Sequence, residues 1–471
     1  MTLTPDLVAR FTAIVGEKNA LHDAQDIEPY LIEPREKFGG KTGLVLRPST
    51  VDEVSAILKL ATETGTAIVP QGGNTGLVGG QMPDETGQQV ILSLSRLNKI
   101  RSVEPAGNLI IVEAGVVLQK LQEAAEQAGR LFPLSLGSEG SCQIGGNLSS
   151  NAGGTAVLAY GNTRELCLGV EVVLPTGEIL NDLRYVKKDN TGYDLKDLFV
   201  GAEGTLGVIT AAVMKLFPLP KGKGVAYAGL NSPAAALKLL GLAQSHAGAA
   251  LTGFELMPRI GVEFSVAHTE GVRDPLQGVH NWYVLIDISS SRSAEDARET
   301  IEAILTEAFE AGLVEDATIA DSTAQEKSFW HMREAMSMAQ KPEGGSIKHD
   351  ISVPVARIPE FIAEADAAVL AMIPGARIVS FGHMGDGNLH YNITQPIGAD
   401  KEAFLARWGE VNARVHGIVR AYKGSISAEH GIGQLKRKEL SETKSPVALD
   451  LMRRIKASFD PAGIMNPGKV I

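Results

Sequence analysis

The chain has 471 residues, of which 44% are hydrophobic and 21% are charged, a composition typical of a soluble globular protein with about three domains. Its formal net charge of −11 argues against nucleic acid and against an anionic membrane surface as the main partner. Two cysteines cannot build a disulfide framework, no stretch approaches the ~18 apolar residues of a membrane span, and the amino terminus lacks a secretory pattern. A cytoplasmic location is therefore expected.

The first half of the sequence predicts an α+β arrangement. Residues 1 to about 37 indicate an amphipathic helix and a linker, and a helix is predicted over TVDEVSAILKLATET, with Thr50 or Ser49 as its cap. Up to about Leu216, short apolar strands alternate with helices and glycine-rich turns. The strands are predicted at GLVLRP (43–48), GTAIVP (65–70) and NLIIVEAG (108–115), and in a hairpin at GVEVVLPTGEIL (169–180).

The composition changes near LFPLPKGKG (216–224). Helical patterns such as SPAAALKLLGLAQSHAG now alternate with strands such as WYVLIDI (282–288). This order predicts a second domain of sheet and helices at roughly 220–420. The remaining segment, 421–471, ends in DPAGIMNPGKVI.

Two loops are unusually rich in glycine, namely PQGGNTGLVGG (70–80) and PLSLGSEGSCQIGGNLSSNAGG (133–154). Successive backbone N–H groups in such loops can form a nest for a pyrophosphate. One such loop would be an ordinary connection, but two exceed what connections require. GGKTG (39–43) fails as a Walker A loop because Arg35 occupies the position of its first glycine, and no Rossmann fingerprint is present. The loops therefore predict a non-Rossmann dinucleotide site.

FGHMGDGNLHYN (381–392) predicts a hairpin that brings His383 close to His390 and places Asn392 on the same face as His390. SISAEHGIG (425–433) adds Glu429 and His430. Two imidazoles and one carboxylate are a common ligand set for a catalytic divalent metal. Spacing leaves open whether Glu429 or His430 is the third ligand. Adjacent residues in an extended chain point in opposite directions, so coordination of one ion by both Glu429 and His430 is disfavoured.

Several segments together carry a resemblance to a known family. The first four resemble the flavin-binding domain of the vanillyl-alcohol oxidase superfamily, also called the FAD-linked oxidase family: PQGGNTGLVGG, SLGSEGSCQIGGNLSSNAGG, YGNTRELCLGVEVVLPTGEIL and GAEGTLGVIT. GHMGDGNLHYN, SAEHGIG and NPGK narrow the resemblance to the D-2-hydroxyacid dehydrogenase branch. That branch includes dehydrogenases for D-2-hydroxyglutarate, which this chain resembles most, and for D-lactate.

The resemblance implies an α+β fold of three parts. These are a two-part FAD-binding domain (1–219), an α/β substrate or cap domain with the metal site (220–420), and a C-terminal segment (421–471) that returns to the flavin and completes the active site. The implied FAD contacts are Pro70, Gly72, Gly73, Asn74, Thr75, Gly76, Leu77, Pro133, Ser135, Gly137, Ser138, Gly145, Asn147, Asn151, Gly153, Gly154, Glu203, Gly207, Ile209 and Asn466. Asn74 stands where some relatives attach the flavin through a histidine, so the FAD is expected to be non-covalent.

The resemblance also implies the chemistry. His383, His390 and Glu429 would hold the metal, for which zinc is favoured although manganese or iron could also sit there, and His430 would face the substrate as the general base. A D-2-hydroxy acid would be oxidised to a 2-oxo acid, with the hydride passing to FAD. A metal-dependent hydrolase with the same ligands would leave the glycine-rich half unexplained.

The substrate expected from the resemblance is D-2-hydroxyglutarate. Arg333, Ser337 and Lys348 occupy positions that contact substrate, and Asn392 and His430 complete the predicted set. A second carboxylate needs donors of its own, which a guanidinium, an ammonium and a hydroxyl supply. Ser337 replaces a threonine that close relatives would carry, and D-malate is a further candidate substrate. The alternatives are a D-lactate dehydrogenase and the flavin subunit of a glycolate oxidase.

The resemblance leaves the electron acceptor open between an electron-transferring flavoprotein and a quinone. It is compatible with a homodimer. No nucleic acid and no membrane span are expected.

Overall fold

The structure is a computed structural model that describes residues 3–33 and 35–471. Its α-helices, in chain order, are α1 (Pro5–Val15), α2 (Ala24–Ile27), α3 (Val51–Thr64), α4 (Leu118–Gln127), α5 (Ile144–Ser150), α6 (Val157–Tyr160), α7 (Thr163–Leu166), α8 (Lys196–Phe199), α9 (Pro233–Ala247), α10 (Arg259–His268), α11 (Ala294–Glu310), α12 (Thr323–Ala339), α13 (Ile358–Met372), α14 (Lys401–Ala406), α15 (Trp408–Ala421), α16 (Arg437–Thr443) and α17 (Pro446–Phe459).

The strands of the same residues are β1 (Ala20–Leu21), β2 (Val45–Leu46), β3 (Ile68–Gln71), β4 (Val90–Ser93), β5 (Ile100–Glu104), β6 (Leu109–Glu113), β7 (Arg130–Leu131), β8 (Cys167–Val173), β9 (Ile179–Asp182), β10 (Val208–Lys215), β11 (Phe217–Pro218), β12 (Gly222–Leu230), β13 (Leu251–Pro258), β14 (Trp282–Ser290), β15 (Asp316–Ile319), β16 (Ser346–Lys348), β17 (Ile351–Ser352), β18 (Arg377–His383) and β19 (Asn388–Thr394).

Helix ends follow the local signals in the sequence. The Thr50 hydroxyl accepts a hydrogen bond from the Glu53 N–H at 3.2 Å, so Thr50 is the N-cap of α3, as predicted. Gly65 ends the same helix in the left-handed conformation. The predicted hairpin between β8 and β9 is also confirmed, with Val173 opposite Ile179.

The chain forms two compact units. The first contains Met1–Gly154, Gly161–Leu219 and Glu429–Ile471, and the second contains Thr155–Tyr160 and Pro220–Ala428. The second unit is therefore an insertion between two parts of the first. The predicted boundaries at 219 and 420 stay predictions of domain organisation.

The first unit contains three sheets. One has the strand order β1-β2-β4-β3, in which β4 runs parallel to both β2 and β3. A second, antiparallel sheet has the order β5-β6-β10-β8-β9, and β7 pairs with β11. The carboxyl-terminal segment pairs with the edge of β3, because the Ile68 N–H donates to Ile464 O and Ile68 O accepts from the Asn466 N–H. Segments from the two ends of the chain thus belong to the same unit.

The second unit is built on one antiparallel sheet with the order β15-β12-β14-β13-β18-β19-β16, and β17 also pairs with β19. Helices α9, α11, α13 and α15 cover one face, where residues such as Leu256 and Ile286 are buried. Helices α10 and α12 cover the other face, where Met257 and Leu285 are buried. Successive strand residues therefore enter different cores, as the alternation of a pleated strand requires.

The mixture of helices and sheets confirms the predicted α+β class. Within residues 3–33 and 35–471, no helix combines the length and the apolar character that a membrane crossing requires.

Candidate functional site

The first unit contains a cavity of about 640 Å³ that is walled largely by the two glycine-rich loops. The residues of the predicted FAD contacts that line it are Pro70, Gly72, Gly73, Asn74, Thr75, Gly76, Leu77, Gly137, Ser138, Gly145, Asn147, Gly153, Glu203, Gly207 and Ile209. Lining residues that the sequence did not single out include Val78, Gln81, Leu136, Cys142, Gln143 and Val208.

Five predicted FAD contacts lie outside this lining, namely Pro133, Ser135, Asn151, Gly154 and Asn466. Two of them make hydrogen bonds that stabilise the surrounding backbone. The Asn151 carboxamide oxygen accepts from the Arg164 N–H at 2.9 Å while Asn151 itself ends α5 in the left-handed conformation. The Asn466 amide donates to Gly80 O at 2.9 Å and to Glu203 O at 2.8 Å.

The two glycine-rich loops touch at Gly73. A Cβ atom at this position would lie 2.1 Å from the backbone oxygen of Ser141, a distance that no side chain can adopt. Glycine is therefore required for the loops to approach each other. Close packing of the two backbones leaves N–H groups and small side chains as the cavity wall, which suits a pyrophosphate.

Three buried side-chain oxygens in this wall have no hydrogen-bond partner among the described residues. They are Asn74 Oδ1, Gln143 Oε1 and Asn147 Oδ1. Buried polar atoms in native proteins are nearly always satisfied, so acceptors that face a cavity indicate a ligand with donors. A flavin dinucleotide offers both a pyrophosphate and ring N–H groups, and the residues present fit it.

Asn74 holds the first loop against the preceding segment. It adopts a left-handed conformation with φ of 54°, and its amide donates to Ile32 O at 2.7 Å. The side chain at the position where some relatives carry a histidine thus contributes to the loop's conformation.

Glu203 connects the cavity to the carboxyl-terminal segment. Its carboxylate accepts from the N–H groups of Ile432 and Gly433, both at 2.7 Å. Burial raises the pKa of Glu203, although these two hydrogen bonds oppose the shift. The turn that Glu203 holds follows directly after Glu429 and His430, which both line the cavity. A carboxylate thus fixes the segment that presents these two side chains.

In the second unit, the predicted hairpin of FGHMGDGNLHYN is confirmed. Strands β18 and β19 pair with Phe381 opposite His390, and Asp386 Oδ1 accepts from the Asn388 N–H in the turn. The rings of His383 and His390 have centroids 5.6 Å apart, and a nitrogen of each lies within 4.8 Å of the other. The hairpin therefore brings the two imidazoles close enough to share an ion.

Glu255 lies beside this pair and was not anticipated. It is opposite His383 in the β13–β18 pairing, so both side chains occupy the same face of the sheet. One carboxylate oxygen is 2.6 Å from His383 Nδ1, and the other accepts from Arg333 Nε at 2.6 Å. Burial alone would raise the pKa of Glu255, but the charges of His383 and Arg333 outweigh it and lower the pKa to about 2.

Four predicted substrate residues are on this same side of the sheet. Arg333 is only 6% exposed and its guanidinium stacks 4.7 Å above the Phe381 ring, so it is not a solvated surface charge. The Lys348 ammonium donates to the backbone oxygen of Ser337 at 2.6 Å, and Lys348 pairs with Asn392 across β16 and β19. The buried Asn392 Oδ1 has no partner within residues 3–33 and 35–471. Substrate contacts of these residues stay predictions.

Glu429 and His430 belong to the first unit, whereas His383 and His390 belong to the second. Their grouping into one metal site stays a prediction.

Comparisons with known proteins agree with the two halves of the sequence. A family model described as "FAD linked oxidases, C-terminal domain" matches residues 219–470, and one described as "FAD binding domain" matches residues 42–182. The mitochondrial D-2-hydroxyglutarate dehydrogenase of Arabidopsis thaliana is 38% identical over 98% of this chain and 81% of its own length. A D-2-hydroxyglutarate–pyruvate transhydrogenase of Saccharomyces cerevisiae is 35% identical over 98% of this chain and 94% of its own.

Among solved structures, p-cresol methylhydroxylase with substrate bound is similar to this chain with a TM-score of 0.76 and 17% identity, over 99% of this chain and 96% of that one. This likeness concerns the fold. Together with the two family matches, it confirms the expected fold of the vanillyl-alcohol oxidase type.

Proposed function

Because the chain belongs to the FAD-linked oxidase family, we propose that it is an FAD-dependent dehydrogenase that oxidises D-2-hydroxyglutarate to the corresponding 2-oxo acid. The observation that carries the choice of substrate is the placement of Arg333 and Lys348 on the face of the sheet that also bears the paired histidines. Two cations there suit a substrate whose second carboxylate lies away from the reacting carbon.

FAD, when bound, supplies the two-electron acceptor for the oxidation of the hydroxyl-bearing carbon. The protein binds FAD and orients it. The backbones around Gly73 would hold the pyrophosphate, and Gln143 and Asn147 would accept hydrogen bonds from the flavin. Asn74 offers no nucleophilic ring nitrogen, which supports non-covalent attachment. Acid or heat denaturation should release a soluble yellow flavin, whereas a flavin that precipitates with the protein would contradict this.

His383, His390 and Glu429 are the residues proposed to hold a divalent metal, with zinc favoured by the donor set. A bound metal would lower the pKa of the substrate hydroxyl and orient its neighbouring carboxylate. The structure fits this role for His383, because a carboxylate on Nδ1 directs Nε2 toward coordination. His430, whose imidazole titrates near neutral pH, would accept the hydroxyl proton.

Arg333, Lys348 and the Ser337 hydroxyl would bind the second carboxylate of the substrate, and Asn392 would contact the substrate beside His390. D-malate, a shorter diacid, is the next expected substrate. D-lactate has no second carboxylate and should be weaker.

The decisive experiment is anaerobic bleaching of the flavin absorbance with a panel of D-2-hydroxy acids. D-2-hydroxyglutarate should reduce the flavin with the highest ratio of rate to apparent Kd, followed by D-malate and then by D-lactate. Equal or faster reduction by D-lactate would contradict the diacid assignment and favour the D-lactate alternative. A preference for glycolate would favour a glycolate oxidase subunit.

The acceptor proposed for the reduced flavin is an electron-transferring flavoprotein or a quinone. The name of the yeast transhydrogenase indicates that pyruvate is the acceptor for that protein, so pyruvate is a third candidate. Re-oxidation of the anaerobically reduced enzyme by each of the three in turn would identify the acceptor. The cytoplasmic location and the homodimer also stay predictions.

A further inference from the structure

Glu255 is a fully buried carboxylate, with 0% exposure, at the centre of the second unit's sheet. It is the only charged residue of strand β13, and its neighbours Phe254 and Leu256 are both in the opposite core. Its two oxygens are divided between two partners, His383 Nδ1 and Arg333 Nε, each at 2.6 Å. A single buried anion thus contacts one proposed metal ligand and one proposed substrate residue.

We propose that Glu255 is a positioning residue that sets both the metal affinity of His383 and the diacid preference of Arg333. This inference rests on the proposed function.

The effect on His383 follows from hydrogen-bond chemistry. An ionised carboxylate only accepts hydrogen bonds, so the short contact requires a proton on His383 Nδ1 in either charge state of the ring. When Nε2 has lost its proton, it carries the lone pair that a metal needs. Carboxylates that bind the other nitrogen of a metal-ligating histidine fix the ring's orientation and raise its basicity, and their loss lowers metal affinity by about 10- to 100-fold.

The effect on Arg333 follows from its planar side chain. One edge of the guanidinium is held through Nε by Glu255, and one face rests on the Phe381 ring. These two contacts fix the plane of the group, and the Nη groups remain as donors for a carboxylate. Without Glu255, a buried cation would lose its partner and its orientation.

A merely structural ion pair would stabilise the fold without affecting either property. The test is therefore Glu255→Gln in the FAD-loaded enzyme, with two readouts. Zn²⁺ affinity is measured by competition with a chromophoric chelator after removal of bound metal, and it should fall about 10- to 100-fold. The ratio of kcat/KM for D-2-hydroxyglutarate to that for D-lactate should fall about tenfold, the usual value of one charge-assisted hydrogen bond.

Asp287→Asn is the matched control. Asp287 is a buried carboxylate on the adjacent strand β14 and accepts from Trp330 Nε1 and from the Thr252 hydroxyl, both at 2.9 Å. This variant should keep both properties within about twofold of the wild type, since it removes a buried charge without touching His383 or Arg333.

If Glu255→Gln fails to fold, the double variant Glu255→Gln/Arg333→Met avoids an unpaired buried cation and should still lose Zn²⁺ affinity by the same factor. Wild-type Zn²⁺ affinity in either variant would overturn the inference while the proposed function stands. A wild-type enzyme that binds no divalent metal would overturn both, and an unchanged substrate ratio in Glu255→Gln would overturn the part that concerns Arg333.

Discussion

The cavity of the first unit and the polar face of the second are built by opposite means. The cavity is formed by backbones that approach closely because side chains are absent, as at Gly73. The polar face is formed by polar and charged side chains of the antiparallel sheet and of helix α12, with Glu255 between the Arg333 guanidinium and the His383 imidazole. The first kind of site is damaged by adding atoms, whereas the second is damaged by removing charge.

The largest expected effect concerns His430, the proposed general base, which lines the cavity of the first unit. His430→Asn should leave FAD bound but slow flavin reduction by D-2-hydroxyglutarate about 10²- to 10⁴-fold, since a general base contributes that much. Stopped-flow reduction under anaerobic conditions measures it. His246→Asn, which changes a histidine paired with Glu307 on the surface, should reduce the flavin at the wild-type rate. Near-normal reduction in His430→Asn would refute the assignment of the base.

The second prediction concerns Asp366, a half-buried acid whose hydrogen-bond partner is a hydroxyl group. Asp366 accepts from the Tyr391 hydroxyl at 2.8 Å, and burial raises the pKa of Asp366 to about 6 from its usual 3.8. The folded state therefore binds more protons than the unfolded state between these values. Stability should fall as pH rises from about 4 through about 6, by up to about 3 kcal/mol.

Asp366→Asn keeps the acceptor without the charge. It should match the wild type at pH 4 and exceed its free energy of unfolding at pH 7, as measured by denaturant titration at both values. Glu364→Gln is the control, because Glu364 is an exposed acid on the same helix that also accepts from a tyrosine, Tyr422. An Asp366→Asn variant whose stability tracks the wild type at both pH values would contradict the prediction.

The third prediction concerns the addition of one carbon atom to the wall of the first unit's cavity. Gly73→Ala should weaken FAD binding about 10- to 100-fold, because its Cβ forces the two loops apart at a cost of about 1–3 kcal/mol. Titration of the apoprotein with FAD measures the Kd. Gly140→Ala lies in the second loop, where a Cβ would meet Gln119 at an ordinary 3.5 Å, and it should bind FAD normally. Equal losses in both variants would show that contact at Gly73 is not the cause.

The last prediction concerns the removal of one charge from the polar face, which changes a ratio between substrates and leaves the FAD site intact. Lys348→Met should lower the kcat/KM ratio of D-2-hydroxyglutarate to D-lactate at least about tenfold, since a charge-assisted hydrogen bond is worth about 1.5–3 kcal/mol. Steady-state kinetics with both substrates measure the ratio. Lys341→Met, which changes an exposed lysine just beyond α12, should leave it unchanged. An unchanged ratio in Lys348→Met would remove the main support for a diacid.

The same contrast explains what could be predicted from the sequence. Glycine density and hairpin signals are local, so the two loops, the Thr50 cap and the pairing of His383 with His390 could all be read from short stretches. The substrate residues came from a resemblance and not from spacing. Arg333, on helix α12, is buried because Glu255 on strand β13 neutralises it, which no local pattern indicates.

Glu255 was missed for that reason. It is 128 positions from His383 along the chain, and only the β13–β18 register brings them together. A signal was nevertheless present, since LTGFELMP carries a single acid in an otherwise buried strand. A lone charge at such a position needs a compensating partner, and searching for one would have pointed to this site.

The hydrogen bonds from Ile432 and Gly433 to Glu203 have a consequence for how the protein is made. On the ribosome, the strands and loops of the first unit emerge early, but the turn that Glu203 holds follows the whole inserted second unit. The cavity wall stays incomplete until translation has passed Gly433. Capture of the flavin in a complete cavity is therefore expected only late in synthesis.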